Sequence, residues 1–227
     1  ARQYLSYFQG PQKTWSQADQ RQLRSAVPEN RLRVYDIRQV IQILCDEDSV
    51  MELRADFGVG IITVLARIEG RAVGIMANNP LHLGGAIDVE AADKSSRFMQ
   101  LCNAYGLPLV SLTDTPGFMV GPDIEAQAQV RHTSRMFVVA AKLKVPFFAV
   151  VLRKGYGLGA QAMAAGGFDA PVFNVAWPTG EFGAMGLEGA VRLARVLRTD
   201  LASALTAGQL AAAHRVALDD DGVAALE

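Results

Sequence analysis

The sequence predicts an α/β domain whose sheet is largely parallel and covered on both faces. Two observations carry that expectation. Strand-length apolar runs at 61–68, 108–113 and 145–152 alternate with stretches of helical, amphipathic spacing, the pattern of a sheet buried between helices. A strand–helix unit also recurs, once from Leu107 and again from Val145, each with a proline near the strand start.

Residues 1–33 are polar and aromatic, with Tyr4, Tyr7, Phe8 and Trp15 and with turns at Gly10-Pro11 and Pro28-Glu29-Asn30; they read as an N-terminal arm or linker. Val34, Ile37, Ile41 and Leu44 recur at helical spacing and predict an amphipathic helix over 34–45. The run 61–68 ends in Glu69-Gly70-Arg71 and resumes at 72–77, so the pair reads as a hairpin. A helix over 93–105 places Phe98, Leu101 and Cys102 on one face and stops at Gly106. A buried strand at 108–113, a helix at 125–143 and a buried strand at 145–152 follow. Beyond Gly189 the Ala/Leu-rich segment reads as helical and ends in Asp219-Asp220-Asp221. The expected organisation is an arm over 1–33, a single α/β domain over 34–193 and a helical tail over 194–227.

At 227 residues the chain can bury a sizeable core, and its formal charge of −1 provides no overall field toward nucleic acid or anionic membrane. The apolar run at 145–152 is too short to cross a bilayer and is flanked by Lys142, Lys144, Arg153 and Lys154. Cys45 and Cys102 stand far apart inside predicted helices, which favours buried reduced thiols and a cytoplasmic setting over a disulfide or zinc framework. The chain starts at Ala1 with neither an initiator Met nor a signal-peptide pattern, and so reads as a piece of something longer.

Four segments can carry chemistry. In Arg153-Lys154-Gly155-Tyr156-Gly157-Leu158-Gly159-Ala160-Gln161-Ala162-Met163, a buried strand meets alternating glycines and then residues suited to a helix. Glycines let backbone approach a ligand closely, and a helix N-terminus offers free N–H groups and a positive dipole end. Such a turn can hold an anion or a developing oxyanion, although spacing alone equally allows a plain strand-to-helix connection. The segment is neither a Rossmann nor a Walker pattern. Asp114-Thr115-Pro116-Gly117-Phe118 follows the 108–113 strand, where α/β proteins place their sites. Leu83-Gly84-Gly85-Ala86-Ile87-Asp88 joins the hairpin to a helix. Ala176-Trp177-Pro178-Thr179-Gly180-Glu181, with Gly183-Ala184-Met185-Gly186, brings a Trp that could wall a pocket or simply pack in the core. His82, His132 and His214 form no metal or triad spacing, and His132 beside Arg131 and Arg135 reads as a solvated basic face. The pattern favours chemistry driven by backbone donors.

In that order, Glu69-Gly70-Arg71 through Ala77-Asn78-Asn79-Pro80, Asp114 to Phe118, Arg153 to Gly157, and Ala176 to Glu181 with Met185-Gly186 resemble the C-terminal domain of the biotin-dependent acyl-CoA carboxylase carboxyltransferase (β) subunit family, of the acetyl-/propionyl-CoA carboxylase type. The likeness covers about 34–193. It implies a crotonase-like (ClpP/crotonase) fold, a spiral of β-β-α units, and a homo-oligomer whose active sites lie between the N-terminal domain of one subunit and the C-terminal domain of another. It also implies carboxyl transfer from carboxybiotin to the α-carbon of an acyl-CoA. By position, the backbone N–H groups of Leu158 and Gly159 would form the oxyanion hole for biotin. Tyr156, Gly157 and Ala160 would shape it, Pro116, Gly117 and Phe118 would lie beside it, and Gln161 would tune acyl preference.

The family's N-terminal domain is absent from this sequence, and no Ala-Met-Lys-Met attachment site is present. Biotin is therefore expected on a partner, a carboxyl carrier protein or biotin carboxylase subunit. The resemblance implies that biotin itself takes the substrate proton, so that no side-chain base is needed. Two rivals remain: a crotonase-type hydratase, isomerase or thioesterase using Glu181 or Asp114, and a non-catalytic assembly subunit. If Gly159 opens the helix, Gly159→Pro should delete one donor, and Gly159→Ala should be much milder unless φ there is positive.

Overall fold

In the computed structural model, the described residues are 1–30, 33–186, 189–192 and 194–196. They divide into two units, Ala1–Met185 and a second from Gly186 onward. Residues 189–192 and 194–196 are helical; of the tail expected over 194–227, residues 197–227 lie outside the described residues.

The first unit is built on one sheet of seven strands. Strands β1 (Met51–Leu53), β2 (Ile61–Ile68) and β3 (Arg71–Asn78) are antiparallel, and the β2–β3 hairpin runs in full register from Ile61↔Asn78 to Ile68↔Arg71. From β3 onward the sheet is parallel: β4 (Leu109–Thr115), β5 (Phe147–Tyr156) and β6 (Phe173–Ala176) follow in order, and β7 (Glu181–Gly183) pairs with the far end of β5. The three short strands β1, β6 and β7 have too few residues to show a periodicity and were not anticipated.

Side-chain alternation explains why these runs are apolar throughout. Ile61, Leu65, Met76, Leu109, Phe147 and Ala149 enter one core, while Ile62, Val64, Ala66, Ile75, Leu112 and Leu152 enter the other. A strand buried on both faces reads as a continuous apolar run. The first core is closed by α4 (Val89–Tyr105), α6 (Gln129–Ala140) and α7 (Gly157–Met163), and the second by α3 (Ile37–Leu44). Asp36 caps α3 by accepting the Arg38 N–H at 3.0 Å.

Several expected boundaries move for local reasons. Helix α4 starts four residues earlier than read because Asp88 caps it, accepting the Ala91 N–H at 2.8 Å. It ends at Gly106, which is left-handed at φ 68°. The helix expected over 125–143 is two pieces, α5 (Pro122–Glu125) and α6, because Ala128 between them takes φ 60°. Strand β5 runs on through Tyr156, since both Thr115 and β7 pair with its last residues. The segment 1–33 is not a bare linker: helices α1 (Arg2–Ser6) and α2 (Leu23–Ala26) form there, and Tyr7 and Val27 are buried in the two cores. The Arg67 guanidinium stacks over the Tyr7 ring at 4.8 Å.

Both cysteines are buried and free, and burial pushes each thiol up to about 12. Neither is positioned as a nucleophile. Among the described residues, no helix is long and apolar enough to cross a membrane.

Candidate active site

Because β4 and β5 are parallel neighbours, the turns at their carboxyl ends emerge side by side. The turn after β4 is held by its own backbone and by the start of α4. The Gly117 N–H donates to Thr115 Oγ1 at 3.1 Å, the Gly117 carbonyl accepts from Ile87 N–H at 3.0 Å, and Ile87 pairs with Phe118. Phe118 is fixed edge-on to Phe137 with centroids 6.3 Å apart. Strand β5 passes straight into α7 through Tyr156, which is extended at φ −108°, and Gly157, at φ 58°. No side chain caps α7. The first-turn N–H groups of Gly157, Leu158 and Gly159 have no intrahelical acceptor.

The two turns touch at Gly159. A Cβ there would stand 2.7 Å from the Gly117 carbonyl carbon, 2.8 Å from Gly117 Cα and 3.0 Å from Phe118 N. Only a residue without a side chain lets the backbone of α7 press on the backbone of the 115–118 turn. At Gly157 a Cβ would stand 2.9 Å from the Ala184 carbonyl oxygen, in addition to the cost of its positive φ. The structure therefore brings Tyr156, Gly157, Leu158, Gly159 and Ala160 together with Gly117 and Phe118. Gln161 is half-buried on the same helix, Leu158 projects its side chain outward, and Pro116 is exposed at the rim.

Two expectations about Gly159 are corrected by this geometry. The helix opens at Gly157, so Gly159 is its third residue. Proline there would force Leu158 out of helical geometry and collide with Gly117, and so would not cleanly remove one donor. Alanine would not be mild either. Its methyl meets backbone, which cannot rotate away.

Beneath the turns lies a buried ion network that spacing did not reveal. Asp114 sits where the β4–β5 register shifts between Thr113 and Thr115, and such a bulge re-aims a side chain. It is fully buried, and its Oδ2 accepts from Arg153 Nε at 3.1 Å and lies 3.1 Å from a second guanidinium nitrogen. Its Oδ1 accepts the Lys154 N–H at 3.1 Å and lies 3.7 Å from Lys154 Nζ. The Asp114 N–H donates to Asn78 Oδ1 at 3.1 Å. Arg153, itself 2 % exposed, donates to the Arg33 carbonyl at 2.7 Å and stacks over Tyr35 at 5.0 Å. Lys154 Nζ donates to the Gly84 carbonyl, and burial holds its ammonium below the usual lysine range. Gly85, at φ 91°, packs its α-carbon against the Asp114 carbonyl. The network thus ties the ends of β3, β4 and β5 to the 83–85 turn, and the visible signal was an Asp and an Arg-Lys pair at the ends of apolar strands.

The same geometry tests the acid–base candidates. Asp114 is enclosed by two cations and has no exposure to a substrate. Glu181 accepts a 2.5 Å hydrogen bond from the Tyr156 hydroxyl and so positions that ring. His82 pairs with Asp88 at 3.0 Å, and His132 is not on a bare basic face but bonds Asp93 at 2.9 Å, with Arg135 on the same carboxylate. His214 lies outside the described residues. Among the described residues no group of three His, Cys, Asp or Glu side chains could hold a metal. Trp177 packs on the second core and also walls a cavity of about 290 Å³ with Arg24 and Glu29.

Residues 2–220 match the carboxyl transferase domain family, and the chain belongs to it. It is 37 % identical over 171 residues to the propionyl-CoA carboxylase β chain of Roseobacter denitrificans, covering 75 % of this chain and 33 % of that one. It is 37 % identical over 172 residues to the biotin-dependent long-chain acyl-coenzyme A carboxylase β4 subunit of Mycobacterium tuberculosis, covering 76 % of this chain and 33 % of that one. Among solved structures, a single-chain, multi-domain long-chain acyl-CoA carboxylase is 60 % identical with a TM-score of 0.84, covering 85 % of this chain and 20 % of that one. The transcarboxylase 12S hexamer, with methylmalonyl-coenzyme A bound, is 37 % identical with a TM-score of 0.73, covering 80 % and 35 %. The fold is crotonase-like, and the chain spans about a third of the length of the curated carboxylase subunits it matches.

Proposed function

We propose that this chain is the biotin-facing, C-terminal half of the carboxyltransferase of an acyl-CoA carboxylase. A carrier partner brings biotin, and an N-terminal carboxyltransferase half completes the acyl-CoA site. One observation carries the reading: in a chain of the carboxyl transferase family, the first turn of α7 has no side-chain cap and is pressed by Gly159 onto Gly117. A free helix N-terminus suits an anion, and glycine surfaces that a Cβ would fill suit a flat ring laid against backbone. Biotin, when bound, supplies the carboxyl group and then the base. The chain's own part is to hold the ureido oxygen on the Leu158 and Gly159 N–H groups, with Tyr156 positioned by Glu181 and Phe118 by Phe137 as walls.

A hydratase, isomerase or thioesterase would need a placed acid facing the hole, and neither Asp114 nor Glu181 is available for that role. Along one edge of β5 the strands β6 and β7 leave Phe173, Val175 and Phe182 exposed, in keeping with a further protein surface seated there in the assembled oligomer. The deciding assay supplies the N-terminal half in trans, with carboxybiotin and acyl-CoA. The complemented enzyme should carboxylate and the isolated chain should not. Turnover by the isolated chain would contradict the composite site, and no turnover after complementation would favour a non-catalytic assembly role.

The 60 % identity to a long-chain carboxylase supports a long-chain acyl-CoA as substrate. Gln161 is the residue on α7 placed to sense the acyl group. Gln161→Ile should redistribute kcat/KM among acetyl-, propionyl- and palmitoyl-CoA by about 1–3 kcal/mol per methylene recognised. An equal loss on all three would remove Gln161 from the specificity pocket.

A further inference from the structure

On the α4 side of the hairpin, β1, β2, α4 and Tyr4 of α1 line an open cavity of about 460 Å³ that shares no residue with the two glycine turns. Its walls are Leu53, Phe98 and Leu101, and its charged members, Arg54, Lys94 and Arg97, are all cations. Lys94 is 1 % exposed, and its Nζ has no hydrogen-bond partner among the described residues. A buried ammonium without a partner is one of the least favourable arrangements a fold can keep.

Its charged neighbours do not satisfy it. Glu52 is held by Arg38 at 2.7 and 2.8 Å, Asp56 is on the surface, and Arg38 and Arg54 add like charge. Burial holds the Lys94 ammonium below its usual range. Lys94 Nζ is shut off from solvent in this structure, and an anion in the cavity would supply the missing acceptor once that side chain turns toward it, with Arg54 and Arg97 at the exposed end. The volume is far above the roughly 30 Å³ of a water molecule and falls in the range of small-molecule pockets. The walls call for an apolar body behind the charge.

We propose that this cavity binds a small organic anion, a carboxylate or phosphate carried on an apolar body, with Lys94 as its buried counter-charge. The site is separate from the Gly117–Gly159 contact and does not depend on the carboxyltransferase reading. A link between them exists in the chain: α4 starts two residues after Ile87, whose backbone pairs with the 117–119 turn.

The test is calorimetric titration of the 227-residue chain with octanoate, phenyl phosphate, inorganic phosphate and octanol, repeated on the complemented enzyme with and without saturating acyl-CoA. Octanoate or phenyl phosphate should bind once per chain, with acyl-CoA present or absent, and whichever binds more tightly identifies the head group. Octanol and inorganic phosphate should bind far more weakly. Lys94→Met keeps the apolar stem and should cost about ten- to a hundredfold in affinity, the size of one charge-assisted bond. The exposed Arg97→Gln leaves the core untouched and should weaken binding by a few-fold, an effect that fades as salt is raised. Absence of binding by either organic anion, equal binding of octanol, or affinity unchanged in both variants would overturn the proposal. So would displacement of the anion by acyl-CoA.

Discussion

Replacing Gly159 by alanine should lower kcat of the complemented enzyme about a hundredfold, as much as losing one oxyanion donor in other acyl-transfer sites. The reason is steric and lies in the backbone. The new methyl would sit 2.7 Å from a Gly117 carbon and 3.0 Å from Phe118 N, so the two turns must part by a few tenths of an ångström or more. Parting them moves the Leu158 and Gly159 N–H groups off the position that a bound oxygen needs. Overpacking of this kind also costs about 1–3 kcal/mol of stability, which a thermal melt reads separately. The control is Gly167→Ala, where an added Cβ meets nothing within 4 Å. That variant should keep wild-type kcat. If Gly159→Ala folds and works within a few-fold of wild type, the contact between the two turns plays no part in catalysis.

Asp114 should matter chiefly for stability. Asp114→Ala leaves Arg153 buried with no counter-charge and strips Lys154 of its neighbour, and breaking a buried pair in this way typically costs about 3–5 kcal/mol. Urea unfolding of Asp114→Ala and of Asp114→Asn reads the loss. The asparagine variant should recover part of it, because its amide can still accept from the Lys154 N–H. Combining Asp114→Asn with Arg153→Met removes both partners of the buried pair and should be less destabilised than the sum of the two single variants. Simple additivity would mean that the two side chains are not coupled. A fall in kcat beyond the loss of folded protein would show that the network also holds the two glycine turns in place.

The elements that were legible from sequence were those with a long enough pattern. The β2–β3 hairpin was readable from apolar runs of eight and six residues on either side of Glu69-Gly70-Arg71, and β3 extends one residue beyond the expected run at each end. The strand-to-helix turn at 155–159 was readable because glycine spacing and a preceding apolar strand coincide. What spacing could not show was contact between distant segments. Nothing near Gly159 says that Gly117 lies against it, and nothing near Asp114 says that Arg153 is its partner 39 residues on. The strands β1, β6 and β7 are held by their neighbours in the sheet rather than by local preference, and so left no periodic trace. The first 30 residues are anchored by scattered side chains such as Tyr7 and Val27 within otherwise polar sequence, and by backbone bonds such as Gln12 N–H to the Gly70 carbonyl. The family motifs carried the functional reading further than composition could, because they mark the same glycine turns.

The claim that Leu158 and Gly159 form a backbone oxyanion hole is tested most directly by a structure of the complemented enzyme with biotin bound. The ureido oxygen should lie about 2.7–3.1 Å from both the Leu158 and Gly159 nitrogens, with the ring seated beside Gly117 and Phe118. A biotin ring held elsewhere, or a ureido oxygen bonded to side chains with both amides left unused, would contradict the account.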